Sequence, residues 1–172
     1  MAQTTKVKVV TGNVRFSYAN VFQPAASVEG GTPKYSVSII IPKSDKETIA
    51  RLQKAFEETK AAAAIYFGGA VPKGLKGGLR DGDEEKDDPA YANSYFINAN
   101  SVQKPGVVDE NLSPIIDPSE FYSGCYGRAS VTFYPYNAQG SKGIACGLNN
   151  IQKLEDGEKL GGGSTAAVDF AV

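Results

Sequence analysis

Aromatic residues are concentrated in one segment of the chain, residues 119–136, with the sequence SEFYSGCYGRASVTFYPY, which also contains Arg128. It holds six of the 17 Phe and Tyr residues. Because side chains alternate between the two faces of a strand, Tyr126, Arg128 and Tyr134 share one face with Ser and Thr hydroxyls. The opposite face is small and apolar, as expected of a core face. Rings interleaved with a guanidinium suit single-stranded nucleic acid, whose bases stack on aromatic side chains at ~1–3 kcal/mol each while cations follow the phosphates.

Further candidates extend this hypothesis beyond the segment. Tyr136 and Lys142 continue its aromatic and basic character into the adjoining loop. Additional cations that would widen a positive path are Lys34, Arg80 and Lys104, and additional stacking candidates are Tyr95 and Tyr122. The structural alternative is that Tyr126 and Tyr134 are amphipathic, half-buried residues of an ordinary strand.

A second aromatic run, near the start of the chain, gives a different prediction. Val14, Phe16 and Tyr18 share one parity, so the alternation predicts that all three face the core. Arg15 and Ser17 have the opposite parity and are predicted to lie on a wet surface.

Composition excludes several kinds of enzyme. The chain of 172 residues has no His, which rules out Ser-His-Asp and Cys-His nucleophile systems and His-ligated zinc. Acidic residues clustered over 81–88 could in principle bind a divalent metal, but their spacing does not match an EF-hand loop. A carboxylate-dependent nuclease is the enzymatic alternative. We predict no catalytic residue, no metal and no cofactor, and we expect Cys125 and Cys146 to be buried and reduced.

Charge is strongly segmented although the net charge is only −1. Residues 1–80 carry a net +7 and residues 121–153 a net +3, whereas residues 81–120 carry −8 and residues 154–172 carry −3. Two regions could therefore offer a positive surface, with acidic segments on either side of the second. Solvated faces of no special function are the simpler explanation.

Periodicity and turn signals predict a mainly β chain with one helix. Strands are predicted over 7–10, 14–22, 34–41, 95–100, 126–134 and 144–154. A capping box at Ser44-Asp45-Lys46-Glu47 predicts one amphipathic helix over roughly 45–65, after the third strand. Residues 68–94 and 101–119 are predicted to be long loops. No apolar run is long enough to span a membrane. Short strands with one helix are typical of a small β-barrel or sandwich.

Longer blocks of the sequence resemble a known family. The blocks are FSYANVF (16–22), KYSVSIIIPKSD (34–45), LRDGD (79–83), YFINANS (95–101), KPGVVD (104–109), SEFYSGCYGRASVTFYPYN (119–137) and GIACGLNNIQKLEDGE (143–158). They are similar to phage and prophage proteins, formerly a domain of unknown function, that bind single-stranded DNA through an OB fold. The resemblance implies an OB-like five-stranded β-barrel over residues 1–160. It also implies sequence-independent coating and protection of single-stranded DNA during phage replication and recombination, in the bacterial host cytoplasm.

The C-terminal residues, 161–172, are predicted to form a separate flexible tail. The chain is similar in this respect to the single-stranded-DNA-binding proteins of podophages, in which an acidic tail ending in an aromatic residue contacts polymerase and helicase. Asp169 and Phe170 match that pattern, so the resemblance implies a phage DNA polymerase or helicase as partner. A homodimer is also allowed, and no membrane is expected. A phage head or tail protein is the main alternative, and no feature separates DNA from RNA.

Overall fold

Eight strands and two helices are formed by the residues that the computed structural model describes, which are 6–25, 32–70, 73, 75–138 and 141–160. The strands are β1 (Val7–Val10), β2 (Val14–Ala25), β3 (Lys34–Pro42), β4 (Arg80–Asp81), β5 (Ser94–Ser101), β6 (Gly106–Val108), β7 (Tyr126–Ala138) and β8 (Ser141–Glu155). The helices are α1 (Lys46–Tyr66) and the four-residue α2 (Gly82–Glu85). Short 3₁₀ turns lie at Pro89–Tyr91 and Pro118–Glu120.

Five of the strands pair in a closed cycle. β2 pairs with β3, β3 with β5, β5 with β8, β8 with β7, and β7 returns to β2. The β5–β8 pairing is parallel, at Asn100 and Gly147, and the other four are antiparallel. The predicted fold class, mainly β and OB-like with one long helix after the third strand, is confirmed. Strands β1, β4 and β6 add to this cycle through β7, β5 and β8.

The alternation predicted for β7 is confirmed, whereas β3 is more buried than the half-buried strand predicted, since Val37 to Ile41 are all buried. Ala129, Val131 and Phe133 are buried in the core, as are Val37 and Ile39 of β3. The neighbouring residues project the other way, so β7 presents a polar row on the outer surface, while β3 does so only at Lys34 and Ser36, since Ile40 is buried against Tyr91 and Phe96.

Helix α1 packs its buried residues against this core. Leu52, Ala55 and Ala63 lie on the buried side, and the Phe56 ring centroid is 6.0 Å from that of Phe133. The expectation that Ser44 caps the helix is wrong, because the N-cap is Asp45, whose carboxylate accepts a hydrogen bond from the Thr48 N–H. The Asp45 cap bonds the backbone donor one residue beyond the Glu47 N–H that a Ser44 cap would have bonded. Neither helix in the described part of the chain combines the length and apolar character needed to cross a membrane.

Strand β2 departs from the predicted alternation at its middle. Its register with β3 shifts between Ser17 and Asn20, and Tyr18 adopts φ +48°, in the left-handed region. As a result Tyr18 is 61% exposed and Ser17 is buried. The prediction that Tyr18 is buried in the core and Ser17 is exposed to solvent is therefore wrong. A bulge in the strand changes the face on which the following side chains project.

All three predicted connections contain regular secondary structure. β7 and β8 extend to Ala138 and Ser141, so most of the predicted 135–143 connection is strand. The segment 68–94 contains β4, α2 and a 3₁₀ turn, and β6 lies within 101–119.

Candidate nucleic-acid interface

A polar surface covers part of the outward side of β3 and β5, and ends where Ile40 and Phe96 are buried against Tyr91. Ser36 lies directly opposite Asn100, and Ser38 lies opposite Asn98. The surface continues onto β8 and β7, because Asn100 pairs with Gly147 and Gly147 pairs with Thr132. We call this surface the polar face, and its residues are Lys34, Ser36, Ser38, Asn98, Asn100, Thr132, Tyr134, Gly147 and Asn149.

The first depression of the polar face brings two of the predicted contact residues together. Lys34 of β3 and Tyr134 of β7 both line an open depression of about 380 Å³, together with Asn100, Thr132 and Asn149. Lys34 is exposed and Tyr134 is half-buried. The Asn149 amide donates a hydrogen bond of 2.8 Å to the Thr132 hydroxyl, which fixes part of the lining. A ring and an ammonium on one polar floor can hold a base and a phosphate.

Gly147 lets the Tyr134 ring lie against β8. A Cβ atom at this position would be 3.2 Å from Cε1 of Tyr134, closer than most such contacts in proteins. A larger residue would push the ring outward, so this glycine helps to set the position of the stacking surface.

Tyr136 lies beyond Tyr134 at the end of the β7–β8 hairpin, whereas Lys142 pairs with Asn137 and has the parity of the buried Ile144, so it projects from the opposite face. Tyr136 and Tyr134 have the same parity on β7, so they are about 7 Å apart along one face. The Tyr136 hydroxyl covers Gly143, at 2.6 Å from a Cβ built there. The loop that contains Lys76 is hydrogen-bonded to the start of β8. The Ile144 N–H donates to the Lys76 carbonyl, and the Lys76 N–H donates to the Lys142 carbonyl.

Tyr126 and Arg128 lie elsewhere on β7. Arg128 donates two hydrogen bonds, of 2.9 and 2.6 Å, to the Gln152 side-chain oxygen and lines a separate depression of about 110 Å³. The Tyr126 ring centroid is 5.2 Å from the Arg15 guanidinium carbon. Eight residues of extended strand, roughly 26 Å, separate Tyr126 from Tyr134. The structure therefore does not bring this pair into the first depression.

Tyr122 and Tyr95 each contact charged side chains of the protein. The Tyr122 hydroxyl donates to Asp156 at 3.0 Å, and the Lys153 ammonium lies 5.3 Å from its ring centroid. Tyr95 has the same parity on β5 as the buried Ile97, so it projects away from the polar face. The structure therefore places both rings outside the first depression.

Arg80 and Lys104 are exposed cations over aromatic rings. The Arg80 guanidinium forms a 2.8 Å ion pair with Glu85 and lies 4.8 Å from the Phe96 ring centroid. The hydrogen bond to Glu85 raises the pKa of Arg80. The Lys104 ammonium lies 6.0 Å from the Phe22 centroid. Neither side chain lines the first depression.

The acidic segment 81–88 is held by hydrogen bonds and ion pairs. The Lys43 ammonium lies 3.0 Å from an Asp81 carboxylate oxygen and 2.9 Å from an Asp83 oxygen, which raises the pKa of Lys43. Asp83 also accepts a hydrogen bond from the Asn93 N–H, and this contact, followed by that of Lys43, lowers the pKa of Asp83. Across the described part of the chain, no group of three or more potential ligands could hold a metal.

A second depression of about 440 Å³ was not predicted. Tyr18, Ser36, Lys86 and Asn98 line it, and Ser38 and Val37 complete the floor. The S-x-S and N-x-N patterns of β3 and β5 could have indicated its polar floor. Lys86 gives no signal in the sequence, because it is surrounded by acidic residues.

Comparisons with known proteins agree with this architecture. The family model described as Enterobacter phage Enc34, ssDNA-binding protein, matches residues 7–172. The putative protein p50 of Acyrthosiphon pisum secondary endosymbiont phage 1 is 31% identical over 171 residues, covering 95% of this chain and 91% of that protein.

Two solved structures share the fold. The single-stranded DNA-binding protein from bacteriophage Enc34, solved in complex with ssDNA, superposes with a TM-score of 0.74 at 24% identity, covering 90% of this chain and 89% of that one. The single-stranded DNA-binding protein gp2.5 of bacteriophage T7 gives a TM-score of 0.60 at 16% identity, covering 96% and 94%. The chain belongs to the phage Enc34 family of single-stranded-DNA-binding proteins.

Proposed function

We propose that this protein binds single-stranded DNA without base-sequence preference and coats it during phage replication and recombination. The observation that carries the proposal is that Lys34 and Tyr134, from strands β3 and β7, line one depression on a polar face. Family membership supports the ligand, and the depression supports the place where it binds.

The residues of the first depression can bind the bases and phosphates of a flexible DNA single strand. A base stacks on the Tyr134 ring while the Lys34 ammonium neutralises a neighbouring phosphate. Stacking tolerates every base, because each has a π-face. Tyr136 continues the row of rings along the hairpin, and Lys142, on the opposite face of β8, remains a predicted phosphate contact. The sequence pI of 5.5 is compatible with this function, since binding depends on the local field and not on net charge.

The other predicted residues have different places in the proposal. Tyr126, Arg128 and Lys104 remain predictions for a longer strand that extends beyond the first depression. Arg80, Tyr95 and Tyr122 remain predictions too, although each is already in contact with another side chain.

The role that we propose for the C-terminal tail, residues 161–172, rests on the sequence alone. Its Asp169 and Phe170, and the boundary between residues 1–160 and 161–172, lie outside the described residues. We infer that the tail contacts a phage polymerase or helicase, and that the protein acts in the cytoplasm of the infected bacterium. Self-association into a homodimer also remains a prediction.

Equilibrium binding tests the function. Fluorescence-anisotropy titration of labelled oligo(dT), with duplex DNA and RNA as competitors, should show binding that single strands compete away and duplex does not. Its log K should fall linearly with log salt, at about −0.7 per phosphate neutralised. Absence of binding at low salt, by both the full chain and a form lacking residues 161–172, would contradict the proposal and favour a phage structural role.

A further inference from the structure

Lys86 is held in an unusual way for a lysine in an acidic segment. Its ammonium lies 5.3 Å from the Tyr18 ring centroid and 5.4 Å from those of Tyr91 and Phe96. Within the described residues it has no carboxylate oxygen within 4.0 Å. Rings attract the ammonium electrostatically but leave its three N–H donors available.

Neighbouring cations are used differently. Arg80 forms an ion pair with Glu85, and Lys43 forms ion pairs with Asp81 and Asp83. These contacts pair three of the six carboxylates of residues 81–88, and in the described structure none of the six pairs with Lys86. Lys86 therefore remains as a cation that a phosphate could bind without first displacing a carboxylate.

Tyr18 provides an exposed ring at the same place. It is 61% exposed, and its φ of +48° belongs to a region that non-glycine residues rarely adopt. The bulge that imposes this conformation carries the ring out of the core and over the second depression. A strained backbone that exposes a large aromatic side chain is often a feature of a binding site.

The floor beneath Tyr18 can form hydrogen bonds. Asn98 is exposed, and its side-chain amide makes no hydrogen bond to any other described residue. An amide offers both donors and an acceptor to the edge of a base. This floor is continuous with the first depression, because Asn98 and Asn100 lie two residues apart on one face of β5, about 7 Å.

We propose that Tyr18, Lys86 and Asn98 form a second nucleotide subsite, in which Lys86 binds a backbone phosphate, Tyr18 stacks a base and Asn98 hydrogen-bonds its edge. This subsite rests on the proposed function, since it would be filled by the same strand. The Lys86 ammonium lies over one face of the Tyr18 ring. When a phosphate attracts Lys86, that face becomes available to the base.

Binding of oligo(dT) by four forms of the full chain tests the subsite. They are the wild type, Tyr18→Phe, Tyr18→Gly and Tyr66→Ala, the last being a matched control because Tyr66 is an exposed tyrosine of α1 outside both depressions. Tyr18→Gly is chosen because glycine accepts a positive φ without strain, so the variant should fold. We expect Tyr18→Gly to bind about five-fold or more weakly, and Tyr18→Phe and Tyr66→Ala to bind within two-fold of the wild type.

A charge variant gives an independent readout. Lys86→Ala should lower the salt slope of binding by about 0.7, as the loss of one phosphate contact requires. Unchanged affinity of Tyr18→Gly together with an unchanged slope for Lys86→Ala would overturn the subsite, while wild-type binding would leave the proposed function standing. Failure of the wild type itself to bind would remove both.

Discussion

Lys34 and Tyr134 line the same depression although they belong to strands β3 and β7, which are not neighbours in the sheet. Strands β5 and β8 lie between them and supply Asn100 and Asn149. The cation and the ring are therefore positioned by the closed cycle of pairings. This relationship makes the site depend on the fold as a whole.

Replacing the ring should weaken binding without unfolding the protein. Tyr134→Ala is expected to cost ~1–3 kcal/mol in affinity for single-stranded DNA, because one base loses its stacking partner. Tyr134→Phe should bind like the wild type. Anisotropy titration measures the affinity, and thermal unfolding verifies that each variant is folded. Equal affinity of a folded Tyr134→Ala protein would remove this ring from the site.

Replacing the cation should change the salt dependence of binding. Lys34→Ala is expected to reduce the slope of log K against log salt by about 0.7, because one phosphate contact is lost. Lys54→Ala is the control, since Lys54 is a lysine of α1 whose side chain is 80% exposed. Titrations at several salt concentrations give both slopes. If both variants keep the wild-type slope, Lys34 does not contact a phosphate.

The Asp83 contacts should make part of the stability depend on pH. The Asn93 N–H and the Lys43 ammonium hold the pKa of Asp83 below its ordinary value of 3.8. A lowered folded-state pKa gives stability that is present above pH 3.8 and is lost as the pH falls through the folded-state pKa. Asp83→Ala should therefore lower the melting temperature at pH 7, and this difference should shrink below pH 3.8.

A control in the same segment distinguishes this effect from general charge removal. Asp87 is exposed and makes no hydrogen bond or ion pair with another described residue. Asp87→Ala should leave the melting temperature at pH 7 nearly unchanged. A pH-independent difference for Asp83→Ala would show that the loss comes from packing and not from the carboxylate.

Both thiols should be unreactive in the native protein. Cys125 and Cys146 are free and buried, and burial raises the pKa of the Cys146 thiol to about 12. Because the thiolate is the reactive form, an aromatic disulfide reagent should label both only on the timescale of unfolding. Rapid labelling at pH 8 without denaturant would show that one of them is accessible.

Much of the fold could be predicted from periodicity. The alternation of Val37 and Ile39 with Ser36 identified β3 and its core face, although the strand is more buried than predicted, and the same pattern identified the core face of β7 at Val131 and Phe133. Both patterns depend only on the two-residue repeat of a strand, which holds wherever the strand is regular.

The site was less predictable because it depends on irregularity and long-range register. The bulge in β2 exposes Tyr18, and no residue pattern in FSYANVF marks where the alternation breaks. The pairing of Ser36 with Asn100 comes from register between distant segments, which one sequence does not reveal. Arg128 has the parity of Tyr134, yet the length of β7 and the Gln152 contact place it in another depression.

The most direct test of the account is the affinity of the Lys34→Ala/Tyr134→Ala double variant for oligo(dT), measured by anisotropy beside a Lys54→Ala/Tyr66→Ala control. The control removes the same two residue types from α1. We predict that the first variant, folded by thermal unfolding, binds at least ten-fold more weakly than the wild type, and that the control binds like the wild type. If the Lys34→Ala/Tyr134→Ala variant binds oligo(dT) as tightly as the control variant, the claim that single-stranded DNA binds on the polar face is contradicted.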